Sequence, residues 1–260
     1  MNNELKNSGF SLTEVLLAVG TLAIGMVFVA GVFPVGIHFT TIATERTIAA
    51  AAADEAFAKI KLYAEQIDFN KLYDYELNDF NDVLGSGFEF DTNEFSYPST
   101  GADFSKKQYY WSALLRLTEP YDPVLNPNPP VQVTVFVSRK ASPNLQYFNS
   151  NASTLVDQPM PVKVSVSQAG WQNELNIDPP TFINDGCTIV DDNSGQIYRV
   201  LDRYGPPNER IIQLDRSLTG TPPTEVWVVP SAIAPGTSVA DKKCSGRYPC
   251  IAVYQKVIRF

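Results

Sequence analysis

The hydrophobic pattern near the start of the chain is one uninterrupted apolar run. Residues 15–37 contain no charged side chain, and Thr21 carries the one hydroxyl among them. About 20 apolar residues are enough to cross a bilayer as a helix. The pattern therefore predicts a transmembrane segment over about residues 14–37, preceded by a short polar leader of residues 1–9.

The pattern then changes to that of an amphipathic helix. Apolar positions recur at i, i+3, i+4 and i+7 up to residue 67. The recurring residues are Ala53, Ala56, Phe57, Ile60, Tyr63, Ala64 and Ile67. We expect one long helix over residues 10–67, with lipid-like surface all round its first half and one apolar stripe on its second half.

Pro34 and Gly36 lie in the second half of the apolar run. Proline removes one helical hydrogen bond, and glycine weakens the helix further. These residues predict a helix break inside the span. A simple kink in a membrane helix is the alternative, because membrane helices tolerate proline.

The rest of the chain divides into a loop region and a β-rich head. Residues 68–105 hold no regular period and predict a long connecting loop packed on the surface, with a short helix over 77–84. Residues 106–260 carry short β-rich runs separated by turn residues. The predicted strands lie at 109–118, 131–140, 161–168, 187–203 (a hairpin turned at 192–195), 209–218, 224–231 and 250–260. The fold class is therefore α+β, a long helix packed on an antiparallel β domain of one or two sheets.

Composition narrows the function. A net charge of −8 and a pI near 4.7 argue against a nucleic-acid surface. The single histidine, His38, leaves little room for histidine metal sites or ordinary catalytic triads. The chain also lacks the nucleophile-elbow, zinc-protease and phosphate-loop motifs. We therefore expect neither an enzyme nor a cofactor.

Two local groups could carry chemistry in the head. Cys244 and Cys250 flank a short turn, which favours a disulfide in an exported domain, with buried thiols as the alternative. Cys187 is left unassigned. Asp191, Asp192 and Asn193 form a weak calcium candidate, although a solvated hairpin turn is favoured over a metal site.

The stretch SGFSLTEVL, residues 8–16, resembles the cleavage and methylation motif of type IV prepilins. Members of that family have a short polar leader that ends in glycine, then usually phenylalanine, then an acidic residue at the fifth mature position. Gly9, Phe10 and Glu14 match all three positions. The resemblance covers about the first 60 residues.

The resemblance implies cleavage between Gly9 and Phe10 by a prepilin peptidase, and N-methylation of Phe10. It implies a minor pilin or pseudopilin of a type IV pilus or type II secretion pseudopilus, with a pilin-like head. The implied partners are other pilins or pseudopilins and an inner-membrane assembly platform driven by a cytoplasmic ATPase. The implied location is a single pass of the inner membrane, with the C-terminal domain outside the cytoplasm.

The chemistry of Glu14 suggests a role in assembly. Cleavage would expose a cationic amine on Phe10, one helical turn before Glu14. A carboxylate resists entry into an apolar bundle unless it is paired. Glu14 of an incoming subunit could pair with the Phe10 amine of a neighbour, which would set the register of assembly.

Two other functions stay open. One is a binding or adhesion module held outside the cytoplasm by an uncleaved signal anchor. The other, weaker, is a secreted hydrolase whose site the sequence does not reveal.

We expect the substitution Gly9→Val to block removal of the leader, because a peptidase that requires the small residue before the cut would not accept valine. Intact-mass measurement of the membrane-extracted variant should give the full-length chain. A terminus at Phe10 in the variant would contradict the leader assignment.

Overall fold

The structure is a computed structural model that describes residues 11–72, 75–85, 91–100 and 107–260. The chain divides into two compact units, residues 1–47 and 48–260. The single α-helix of the described residues, α1 (Leu12–Leu62), contributes to both units.

The first unit consists of the apolar part of α1. Its large side chains are exposed, from Leu12 at 78% to Val15 at 50%. The helix continues through Pro34 and Gly36, so the expected helix break is absent from this structure. One proline removes one backbone hydrogen bond, and the helical residues on both sides keep the remaining turns intact.

Threonine hydroxyls in and after the apolar run are satisfied within the helix. Thr21 donates to the carbonyl of Ala18 at 2.9 Å, and Thr40 donates to that of Gly36 at 2.8 Å. Thr41, Thr44 and Thr47 make the same kind of bond to carbonyls four residues earlier. These side chains therefore present no unsatisfied donor to an apolar environment.

The helix ends at Leu62, earlier than the predicted residue 67. A short 3-10 turn, Ala64–Gln66, follows it, and Ile67 forms an isolated bridge to Leu84. The amide of Gly85 also donates to the carbonyl of Gln66 at 2.7 Å. These non-local bonds draw the chain out of the helix, which local periodicity could not show.

One antiparallel sheet carries the second part of α1. Its strands are β1 (Asn78–Asp79), β2 (Ser96–Tyr97), β3 (Tyr109–Leu117), β4 (Pro130–Arg139) and β13 (Cys250–Arg259). The order is β1-β3-β4-β13, and β2 also pairs with β3. The long register between β3 and β4 runs from Tyr109 opposite Arg139 to Leu117 opposite Val131.

Alternate residues of β3 and β4 form the core with the helix. The buried side chains from the strands are Trp111, Ala113, Leu115, Leu117, Val131, Val133, Val135 and Val137. Those from α1 are Ala49, Ala52, Ala53, Ala56, Phe57 and Ile60. The predicted apolar stripe is confirmed for its residues within the helix, and the alanines let the helix approach the sheet closely.

A second β structure is a closed barrel. Its strands are β7 (Val162–Gln168), β8 (Glu174–Asp178), β9 (Thr188–Asp191), β10 (Ile197–Arg203), β11 (Ile211–Leu214) and β12 (Glu225–Val228). They pair in the order β10-β11-β8-β7-β12-β9, and β9 closes the ring on β10. A two-stranded ribbon of β5 (Tyr147–Phe148) and β6 (Leu155–Val156) forms a separate sheet, and Phe148 packs in the apolar core of the barrel.

A separate apolar cluster lies between the sheet and the barrel. Leu114 of β3 and Phe136 of β4 point to the face opposite the helix, where they pack with Val190 and Trp227 of the barrel. Leu77 and Val229 complete this cluster. The β3–β4 pair is consequently buried on both faces, by α1 on one side and by the barrel on the other.

The α+β class and all seven predicted strand regions are confirmed, including the hairpin of β9 and β10. The predicted domain of one or two sheets is wrong, because six strands close into a barrel. The short helix expected over 77–84 is also wrong. Those residues form β1 and a turn, because Phe80 donates to the carbonyl of Ala113 on β3.

The predicted surface loop over residues 68–105 contributes to the interior instead. Leu72, Phe80 and Val83 are at most 1% exposed and belong to the helix–sheet core. Large apolar side chains in an irregular segment can be buried when their backbone bonds find partners elsewhere.

Candidate functional site

The first candidate site lies at the start of α1. Gly9 and Phe10, the predicted cleavage positions, lie outside the described residues. The carbonyl of Ser11 accepts bonds from the amides of Glu14 at 3.0 Å and Val15 at 3.2 Å, which begins the helix. The Glu14 side chain is exposed in the first turn, where the helix dipole favours an anion.

Apolar side chains surround Glu14 on the helix surface. Leu12, Val15, Leu16 and Leu17 are 50–78% exposed, and the exposure continues on every side of the helix to Phe39. This helix is long and apolar enough to cross a membrane. Glu14 is thus a single carboxylate at one end of an apolar surface that nothing in the described chain covers.

The cysteines of the head are free thiols in this structure. The predicted Cys244–Cys250 disulfide is absent, because the two side chains belong to different parts of the fold. Cys244 packs at the barrel core, and its backbone pairs with Ile233. Cys250 starts β13 and packs in the cluster between sheet and barrel. Burial raises the pKa of each of these thiols to about 12, which disfavours the reactive thiolate.

Asp191 serves the turn of its own hairpin. Its Oδ1 accepts the amide of Asn193 at 2.9 Å, and its Oδ2 accepts the hydroxyl of Ser194 at 2.5 Å. Gly195 follows with φ +67°, a conformation that favours glycine. The carbonyl of Asn193 also accepts a bond from Arg116 of β3. These contacts are those of a structural turn.

Asp192 is the centre of a buried polar cluster. Its side chain is 3% exposed, and its Oδ1 accepts the indole N–H of Trp227 at 2.6 Å. Its Oδ2 accepts Lys163 Nζ at 3.0 Å. The same ammonium lies 3.1 Å from Glu225 and 3.6 Å from Glu76. It also lies 5.4 Å from the Trp227 ring centroid, which adds a cation–π contact.

The charges in this cluster are mutually dependent. Burial alone would lower the pKa of Lys163, but its bonds to Asp192 and Glu225 outweigh burial and raise that pKa. Lysine therefore stays a cation that compensates the buried carboxylate. Both Asp192 oxygens accept hydrogen bonds from donors of the protein. Within the described segments, no group of three His, Cys, Asp or Glu residues could hold a metal ion, and the calcium hypothesis has no support here.

The partners of Asp192 could not be identified from the sequence. Lys163 is 29 residues away and Trp227 is 35 residues away along the chain. The alternation of Val162, Val164 and Val166 places Lys163 on the opposite face of β7 and so indicates a polar position. No local signal identified which carboxylate it would meet.

We expect Lys163→Ala to destabilise the fold by about 3 kcal/mol, because it leaves Asp192 buried without its cation. The midpoint of chemical unfolding of the full chain in detergent micelles measures this loss. The double variant Lys163→Met/Asp192→Asn should recover most of it, because the charge that needed compensation is gone.

The matched control is Arg210→Ala. Arg210 pairs with Asp178 at 3.4 Å, but both side chains are more than 60% exposed. Its loss should cost less than about 0.5 kcal/mol. Equal losses for the two single variants would show that burial of Asp192 does not set the strength of the Lys163 contact.

Comparison of the chain with family models, curated proteins and solved structures gives no match.

Proposed function

We propose that the protein is a pilin-like structural subunit, processed at Gly9–Phe10 and assembled through α1 into a type IV pilus or a type II secretion pseudopilus. The observation that carries the proposal is the apolar surface of α1, exposed all round from residue 15 to residue 37, with the Glu14 carboxylate at its beginning. The resemblance of residues 8–16 to the prepilin motif favours a pilin-like subunit over a simple membrane anchor.

An exposed apolar helix of this kind needs an apolar surrounding. Burial is worth roughly 25 cal/mol for each Å² of apolar surface removed from water, so the uncovered helix is strongly unfavourable in solvent. Lipid can cover it before assembly, and helices of other subunits can cover it afterwards. The satisfied threonine hydroxyls suit both environments.

Glu14 distinguishes the two environments. A helix that only anchors a domain would gain from this carboxylate no more than its favourable contact with the helix dipole, and a charged residue inside the bilayer is costly. A helix that enters a bundle containing a matching cation is held at one axial position, because the carboxylate meets that cation only at the correct offset between the helices. The amine of a processed Phe10 would supply that cation.

The second unit suits a mechanical role. Its sheet is fixed to α1 through a large apolar core and through the ion pair of Lys256 with Asp54 at 2.9 Å. A head held in this way would be carried with the helix into a filament and displayed on its surface. In this proposal the partners are a prepilin peptidase, other pilins or pseudopilins and an inner-membrane assembly platform.

The deciding experiment is mass spectrometry of the N-terminus of protein purified from its own cells. We expect a chain that begins at a methylated Phe10. A chain that begins at Met1 with Gly9 retained would reject the proposal and favour a binding module on an uncleaved signal anchor.

We expect Glu14→Ala to leave membrane insertion intact and to lower incorporation into sheared filaments or pseudopili at least tenfold. The reason is that an unpaired Phe10 amine inside the bundle costs several kcal/mol. Quantitative immunoblots of the filament and membrane fractions measure the ratio.

The control is Glu65→Ala, which removes an exposed carboxylate beyond the end of α1 and should leave the ratio unchanged. Normal incorporation of Glu14→Ala would reject the pairing of Glu14 with the amine, while a Phe10 terminus in the same preparation would still support processing.

A further inference from the structure

Residues 75–85, which we call the strap, contact both the barrel and the helix–sheet core of the second unit. Leu77 packs in the cluster between sheet and barrel, and Phe80 and Val83 pack in the helix–sheet core. Glu76 lies 3.6 Å from Lys163 of the barrel, and the amide of Leu77 donates to the carbonyl of Asp192 at 3.3 Å. The strap therefore holds the barrel and the helix–sheet core together.

Asp79 lies in the middle of the strap. It pairs with Leu114 in the register of β1 with β3, and it is 5% exposed. Its Oδ1 accepts the amide of Asn81 at 2.9 Å. Its Oδ2 has no hydrogen-bond partner in the part of the chain that the structure describes. A buried ionised carboxylate with a free oxygen is strongly unfavourable.

A small cavity adjoins this carboxyl group, with room for about one water molecule. Ser112 and Gln158 contribute polar groups to its wall, and Phe95, Trp111 and Met160 contribute apolar surface. Among the described residues that line it, Asp79 is the one titratable group. The cavity therefore offers solvation but no compensating cation.

The charged groups around the strap do not favour an anion either. β3 faces Asp79 with Ser112 and Ala113, and the segment before β7 faces it with neutral residues. Lys59 of α1 is paired with Glu94 at 2.6 Å. Burial raises the pKa of Asp79 to about 7, and the negative charge of Asp82 adds to the rise.

We propose that Asp79 is a protonation switch in the strap: the neutral side chain keeps the strap packed, and ionisation loosens its hold on the barrel and on the helix–sheet core. The folded state holds the proton more tightly than the unfolded state does, so stability falls as pH rises between the two pKa values. The decrease in the free energy of unfolding begins at about pH 4, the ordinary pKa of an aspartate, and is complete above about pH 7, the pKa of Asp79 in the fold. The strap is thus packed more tightly in mildly acidic than in mildly alkaline conditions, because Asp79 is then protonated.

The test is amide hydrogen exchange of the full chain in detergent micelles at pH 5 and pH 8, corrected for intrinsic exchange rates. We expect the opening constant of the strap amides of Leu77, Phe80 and Val83 to rise roughly 10- to 100-fold at the higher pH. In Asp79→Asn, which keeps the shape without the charge, the constant should not change with pH. In Asp82→Asn, the control, most of the rise should persist.

The same pH dependence in Asp79→Asn as in the natural chain would overturn the proposal. A second measurement needs no variant: the ¹³C shift of the Asp79 carboxyl carbon, followed by NMR against pH. A titration midpoint near pH 7 supports the switch, and a midpoint near pH 4 overturns it.

Discussion

Burial of the β3–β4 pair on both faces is the constraint on which the head depends. β3 and β4 are the central strands of the β1-β3-β4-β13 sheet and carry apolar side chains on both faces, so each face needs a covering layer. The helix covers one face with small alanines, and the barrel covers the other through Trp227 and Val190. The strap runs along the edge where these layers meet, which explains why its short segment carries both apolar anchors and buried polar groups.

The two halves of α1 show opposite solutions to the same problem. The second half buries one stripe against the sheet and needs no further partner on that side. The first half has apolar surface on every side, and the described chain covers none of it. Covering must come from lipid or from other chains, so the part of the molecule that remains incomplete is the part for which a function in assembly is proposed.

The sequence could predict the elements whose signals are local. The stripe of Ala53, Ala56 and Phe57 and the alternation of Val162 and Val164 each repeat within a few residues, and both were found where expected. Closure of the barrel could not be predicted from the sequence, because it requires β9 to pair with β12, which is distant in sequence, as well as with β10. The candidate site divides in the same way. Glu14 stood out from its apolar neighbours, whereas Lys163 and Asp79 acquire their roles from residues distant in sequence.

Three carboxylates of this chain meet the cost of leaving water in different ways. Asp192 has a cation and an indole N–H supplied by its own fold, and these contacts oppose the rise in its pKa that burial causes. Asp79 has one backbone donor and a small cavity, so a proton is the compensation within reach. Glu14 has neither, and it is exposed in the isolated chain. In the proposed assembly its compensation would come from another chain, because an apolar bundle would otherwise exclude it. The fold itself supplies partners to the first carboxylate, the second is the proposed protonation switch, and the third is the proposed contact with a partner chain.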